Sequence, residues 1–362
     1  MDKVLENLSV NQELDEKLMS VVKYLTKVEY YLQPTNVASE KDKFLSGKKK
    51  NPEFEYHPID FDPKKVSQFL KELVFPDDII GNLLKAQRDD FLLKCDIILF
   101  RGNSEKLIEL SSKLNGRPSE KILALSHKII SEERIIKDKS VKDISSGGIA
   151  SLFEDALRDY GLEDSGWGVQ FTEKSIIEVN SNLKKIFVPR GRFFSSEEVE
   201  SLIAHEIGVH VLRAENGYKQ KLKIFSVGLP GYLSTEEGLA LFAQDSFLEE
   251  AKKNFKKAVI VLAVDTMING ASFRECFESL KKFNLSDEEL WNICLRIYRG
   301  GGYVKDHVYL EGFMEVENFL KNGGNLKKLF VGKVGIKDLE IVDKLLKEGI
   351  LKEPTILPDF VK

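Results

Sequence analysis

Residues 205–210 read HEIGVH, two imidazoles with a carboxylate beside the first, on a segment whose flanks have helical patterning. Histidines and glutamate in this order are how a chain holds a zinc ion together with a base for hydrolysis. The commoner HExxH spacing works because residues four apart on an α-helix, at about 100° each, come to within roughly 40° of one another. At a spacing of five, an ideal α-helix splays the rings by about 140°, so both nitrogens reach one ion only through a wider turn, a π-bulge. Gly208 lies inside that turn. Without a Cβ it lowers the cost of distorting the backbone, while weakening a regular helix by about 1 kcal/mol relative to Ala. Two plainer readings compete: a chance match to a short motif, and an amphipathic helix with a half-buried histidine. Val199, Leu202, Ile203, Ile207 and Val211 already supply the apolar stripe for the latter.

A catalytic zinc usually takes three protein ligands and keeps one position open, and the third often comes from a later helix. Residues 228–240 read GLPGYLSTEEGLA, turn residues running into a new helix start that carries Glu236 and Glu237. Ser234 and Glu237 also have the spacing of a capping box, in which the glutamate would satisfy only free backbone amides. Beside His205 and His210, a carboxylate on an adjacent antiparallel helix is the natural closing ligand, and Glu237 is the choice over Glu236.

The chain here resembles the tyrosine-carboxypeptidase-like metallopeptidases, whose animal members remove the terminal tyrosine of tubulin and whose prokaryotic members carry a QEGLA motif. The corresponding residues 236–240 are EEGLA. The likeness covers VPRGRFFSSEEVESLIAHEIGVHVLRAENG (188–217), IFSVGLPGYLSTEEGLA (224–240), ASFREC (271–276) and RIYRGGGYVKDHVYLEGFMEV (296–316), roughly the carboxy-terminal 200 residues. It implies one zinc held by His205, His210 and Glu237, Glu206 as general base, and a zincin-like metallopeptidase core. Glutamate stands at 236 where many relatives have glutamine, and the ligand glutamate is left in place.

A carboxypeptidase must also recognise a free terminal carboxylate, which calls for a cation of fixed geometry. Arg190 and Arg192 precede the metal helix, and Arg299 and Lys305 flank the glycines 300–302 in a loop that also holds Tyr303, His307 and Tyr309. As a plain feature, RGGG ends the helix containing Trp291, Leu295 and Tyr298. As a functional one, it lets backbone approach a substrate, with Arg299, Lys305 and Tyr309 as the substrate-binding set. His307 is an oxyanion donor or a surface histidine, and no metal ligand.

Composition bounds the rest. A chain of 362 residues with 42% hydrophobic and 31% charged residues buries one large core or two modest ones. It holds no run of about 18 apolar residues to span a membrane, and its amino terminus MDKVLENLSV lacks the basic start and apolar stretch of a secretory signal. A cytoplasmic protein is expected. Cys95, Cys276 and Cys294 are odd in number and widely spaced, as for free buried thiols. A net charge of −4 gives no electrostatic case for nucleic acid, and Lys48 to Lys50 reads as a solvated loop.

Helical periodicity runs through the first 33 residues, through 66–115 and through 119–136, with an irregular connection from Gln33 to Asp62. The flexible stretch SSGG (145–148) divides an amino-terminal helical region, 1–144, from a zinc metallopeptidase domain, 145–362. Within the latter, a helix at 149–160 precedes strands near 169–172, 176–180 and 185–188, whose edge can hold an extended peptide or only pack on the metal helix. Ser195 and Glu198 form a capping box for that helix. Further helices follow at 251–266, 273–283, 287–298 and 309–321. The fold class is α+β, mainly helical, with a small β-sheet before the metal-binding helix. The function expected is a zinc peptidase acting on a peptide or protein C-terminus. An aminopeptidase or endopeptidase of the same chemistry, or a non-catalytic zinc-binding regulatory protein, are the alternatives.

Overall fold

The computed structural model describes residues 2–132, 140–174, 176–245 and 254–361. The chain forms two compact units, Met1–Arg134 with Asn254–Leu310, and Ile135–Lys253 with Glu311–Lys362. The division thus falls ahead of the SSGG stretch, and residues 254–310 return to the first unit. The architecture is mainly helical with two small sheets. No helix among the described residues is long and apolar enough to cross a membrane.

The first unit is built of helices, among them Pro63–Glu72, Ile79–Leu99, Ser104–Asn115, Glu120–Glu132, Phe255–Ile268 and Asp287–Tyr298. The helices expected at 119–136 and 251–266 are present as Glu120–Glu132 and Phe255–Ile268; residues 133–136 and 251–253 lie outside the described residues. The expected irregular connection 33–62 contains a helix, Val37–Leu45. Its Phe44 is fully buried in edge contact with Phe273 and Phe277 beside Trp291. Tertiary packing overrides the polar local sequence there: a buried Trp removes roughly 200 Å² from water, about 5 kcal/mol.

The ASFREC segment serves this packing. Ser272 and Glu275 form a complete capping box, and Cys276 is buried. The Arg274 guanidinium lies 3.5 Å from the Phe44 ring centroid and donates to the carbonyls of Phe44, Lys49 and Lys50. It thereby fastens the backbone of Lys49 and Lys50 in the loop, whose surface remains largely solvated. All three cysteines are free and buried.

In the second unit the central strand Lys185–Pro189 pairs in parallel with Gly168–Thr172 and antiparallel with Glu178–Asn180. Its inward Ile186 and Val188 are fully buried against Ile149, Phe153, Ile207 and Val211. A second, two-stranded sheet pairs Ile144–Ser145 with Phe193–Phe194. SSGG is structured, its Ser145 in this short strand and Ser146 to Gly148 in the first turn of a helix. Ser145 caps the helix Ser146–Asp159 by accepting from the Gly148 amide, and Ser146 Oγ donates to the carbonyl of Pro189 at 2.7 Å. Ser side chains at a helix start compete well for such orphan amides, which a reading of SSGG as flexible overlooks.

Candidate metal centre

One helical rod carries HEIGVH. It begins as an α-helix, Ser196–Leu202, continues as a π-helix over Ile203–Val211 and returns to α at Leu212–Tyr218. The wider turn required by the histidine spacing is present, and it extends over nine residues where a single bulge was expected. An i→i+5 pattern adds about one residue to each turn, so residues five apart come round to the same side. The His205 and His210 ring centroids lie 5.0 Å apart. Gly208 is not sterically forced: a Cβ there would meet Phe360 and Pro358 at 3.6 and 3.7 Å, ordinary contacts. At the start of the rod, Ser195 accepts from the Glu198 amide, but the Glu198 carboxylate pairs with Arg192 instead of closing a capping box.

The rod is anchored by polar groups that the apolar pattern does not report. Arg213 is fully buried and donates to the carbonyls of Leu329 and Val334 and to the carboxylate of Glu236. Glu215 accepts from the Trp167 indole at 3.0 Å and from Lys184 at 2.8 Å. Asn216 binds the backbone of Thr355 and Ile356. These contacts fix the HEIGVH rod from several distant parts of the unit.

The second helix, Leu233–Asp245, packs along the π segment. Its first residues do not form the S-x-x-E cap: Ser234 Oγ donates to Glu315, which frees Glu237. His205, His210 and Glu237 each offer a donor atom, and these atoms all lie within 4.8 Å of one another. His210 Nε2 stands 3.9 Å from a Glu237 oxygen. Two donors about 2.0–2.2 Å from one zinc are separated by roughly 3.4 Å in a tetrahedron, so small side-chain rotations would close the set. Two neutral imidazoles and one carboxylate suit zinc, and three donors leave one coordination position.

Glu236 plays a different part. It is 2% exposed and accepts from His210 Nδ1 at 2.8 Å and from Lys333 at 3.2 Å, as well as from Arg213. Burial alone would raise its pKa, but Lys333 and Arg213 outweigh that and hold the carboxyl well below the usual range. For His210, burial favours the neutral ring, and Glu236 more than offsets it, raising the pKa. His205 Nδ1 meets Gln244 Oε1 at 3.1 Å. Gln244 does not stand out in the sequence, and Glu236 does so only as the alternative third ligand, because the cations that orient it come from distant segments.

Glu206 is buried beside the cluster. Desolvation, opposed by His210 and reinforced by Glu237, pushes its carboxyl up to about 7 in the metal-free chain.

The expected substrate-binding set Arg299, Lys305 and Tyr309 lies in the first unit, with His307. Arg299 pairs with Asp306 at 3.0 Å, and Lys305 forms an ion pair with Glu29. The Tyr309 ring lies under Arg296, which binds the other Asp306 oxygen at 2.7 Å. His307 is 1% exposed, so it is no surface histidine. Gly300 ends its helix with φ 67°, and a Cβ there would press on Leu32 and Leu107. Arg190 and Arg192 pair with Glu173 and Glu198 in the second unit.

A helical chain whose interior gathers two imidazoles and a carboxylate within reach of one ion is a candidate metalloprotein. A sequence model of the microtubule-associated tyrosine carboxypeptidases matches residues 42–362, and the chain belongs to that family. The match reaches well into the amino-terminal helices, beyond the segments that carry the resemblance in sequence. The rat and human proteins named microtubule-associated tyrosine carboxypeptidase 1 are each 28% identical over 180 residues. That stretch is 45% of this chain and 36% of theirs, so the match spans about a third of the curated relatives. A crystal structure of a Colwellia psychrerythraea protein described as a lipoprotein aligns at 10% identity and TM-score 0.41, over 88% of this chain and 57% of that one.

Proposed function

We propose that the chain is a zinc-dependent peptidase of carboxypeptidase type, with a zincin-like arrangement of His205, His210 and Glu237 around one ion and a cytoplasmic setting. The observation that carries the reading is the convergence of these three donors beside the buried Glu206. A zinc ion held there would polarise a scissile carbonyl and lower the pKa of a water toward about 7.

The chain's own contribution is proton transfer and orientation. Glu206 takes the proton of the attacking water on its carboxylate and returns it to the departing amine. A carboxylate beside the ion can accept a proton from the water and release it to the amine within the same site. Low exposure around Glu206 and Glu237 keeps the local dielectric low and strengthens the charge interactions on which cleavage depends. Recognition of the terminal carboxylate by Arg299, Lys305 and Tyr309 belongs to the same proposal. Arg299 and Lys305 both pair with the carboxylate of Glu29, which supports a carboxylate as the group they accept. Family membership makes a terminal tyrosine the first side chain to test.

The test is release of terminal residues from a peptide library by the zinc-loaded chain and by Glu206→Gln. The expected result is release of single residues from carboxyl ends by the native chain, at least about a hundredfold slower in the variant with zinc retained. Equal background release by both proteins ends the peptidase reading. Release from amino ends, or cuts within peptides, would replace carboxypeptidase by another peptidase.

A further inference from the structure

We propose that Glu236 and Gln244 are positioning residues, which hold the imidazoles of His210 and His205 with the hydrogen on Nδ1 and with Nε2 turned to the metal. The proposal rests on the metal reading above and extends it to residues that touch no substrate.

Its strongest element is the contact between His210 and Glu236. A carboxylate held among cations can only accept, so at 2.8 Å the His210 Nδ1 must be the donor. Its lone pair is then on Nε2, the atom that faces Glu237 at 3.9 Å. Arg213 and Lys333 supply counter-charge to Glu236 and fix its two oxygens, so the ring is oriented by a group that cannot itself swing into the ligand set. Gln244 repeats the arrangement for His205 with a neutral acceptor, Oε1 at 3.1 Å from Nδ1.

Glu237 and Gln244 are two helical turns apart and share a face of Leu233–Asp245. One helix thus delivers the third ligand and both acceptors. An outer partner that accepts from the far nitrogen fixes the tautomer and raises the basicity of the ligating one, and its loss typically costs about ten- to a hundredfold in metal affinity. A charged acceptor does this more strongly than an amide, so His210 should depend on its partner more than His205.

Two measurements on the full chain test this. In the metal-free protein with ¹⁵N-labelled histidine, the neutral His210 ring should carry its hydrogen on Nδ1 in the native chain and in Glu236→Gln, and should lose that preference in Glu236→Leu. In competition with a chromophoric chelator, Glu236→Gln should hold zinc within a fewfold of native, Glu236→Leu about ten- to a hundredfold more weakly, and Gln244→Leu with a smaller loss. Native-like zinc affinity in a folded Glu236→Leu, or an Nε2–H tautomer of His210 in the native chain, overturns the proposal. Should Glu236→Leu fail to fold, the native tautomer and the Glu236→Gln affinity still decide it. A native chain that takes up no zinc defeats the metal reading separately, and the tautomer then rules on the hydrogen bond alone.

Discussion

Gly238 and Gly312 meet backbone to backbone. A Cβ built on Gly238 falls inside the van der Waals shell of the Gly312 carbonyl, and one on Gly312 falls inside that of Ser234. The glycine of EEGLA is therefore a packing requirement next to the third donor, Glu237. Gly238→Ala should force the segments apart, costing about 1–3 kcal/mol as overpacking does, and should weaken zinc binding by displacing Glu237. Gly208→Ala, whose Cβ meets only ordinary contacts, should change stability by less than about 1 kcal/mol and leave zinc binding intact. Thermal denaturation and zinc competition on both variants check the contrast; equal effects would refute it.

His307 gives a pH dependence of stability. Burial, partly opposed by Asp306, lowers its pKa from 6.5 to about 4, so below pH 6.5 the unfolded chain takes a proton that the folded chain refuses. Its contribution is present in full above pH 6.5 and is lost as the pH falls toward about 4. Between pH 7 and pH 5 the loss is about 2 kcal/mol, and His307→Gln should remove it from the difference in denaturant stability. The same pH slope in both proteins would contradict this assignment.

Lys305 separates a substrate role from a structural one. Its partner Glu29 is half-exposed while the Lys305 side chain is largely buried, so Lys305→Gln should cost about 1–3 kcal/mol of stability. If it meets the terminal carboxylate, KM for peptides with free carboxyl ends should rise about tenfold or more, with amidated peptides unaffected. Equal changes for both peptide types would assign it to the Glu29 contact alone.

Much of the site was legible because it rests on local geometry. Histidines at 205 and 210 cannot meet on an α-helix, so the spacing itself calls for the π segment. The strands near 168–189 follow from alternation, and the helix at Asp287–Tyr298 from its apolar periodicity. What escaped depends on partners remote in sequence. Glu236 and Glu237 are neighbours of the same type, and their different parts are set by Arg213 and Lys333. The return of residues 254–310 to the first unit comes from Phe44 packing with Phe273, Phe277 and Trp291, which periodicity within either segment does not encode. The C-terminal turns near Leu329 and Val334 matter because Arg213 binds their carbonyls, a role invisible in their own residues.

The zinc content of the purified chain, compared with that of Glu237→Ala after dialysis against metal-free buffer, tests the ligand set most directly. The account predicts close to one zinc per native chain and a large loss in the variant, with the fold retained. No zinc in the native protein, or an undiminished equivalent in Glu237→Ala, would contradict it.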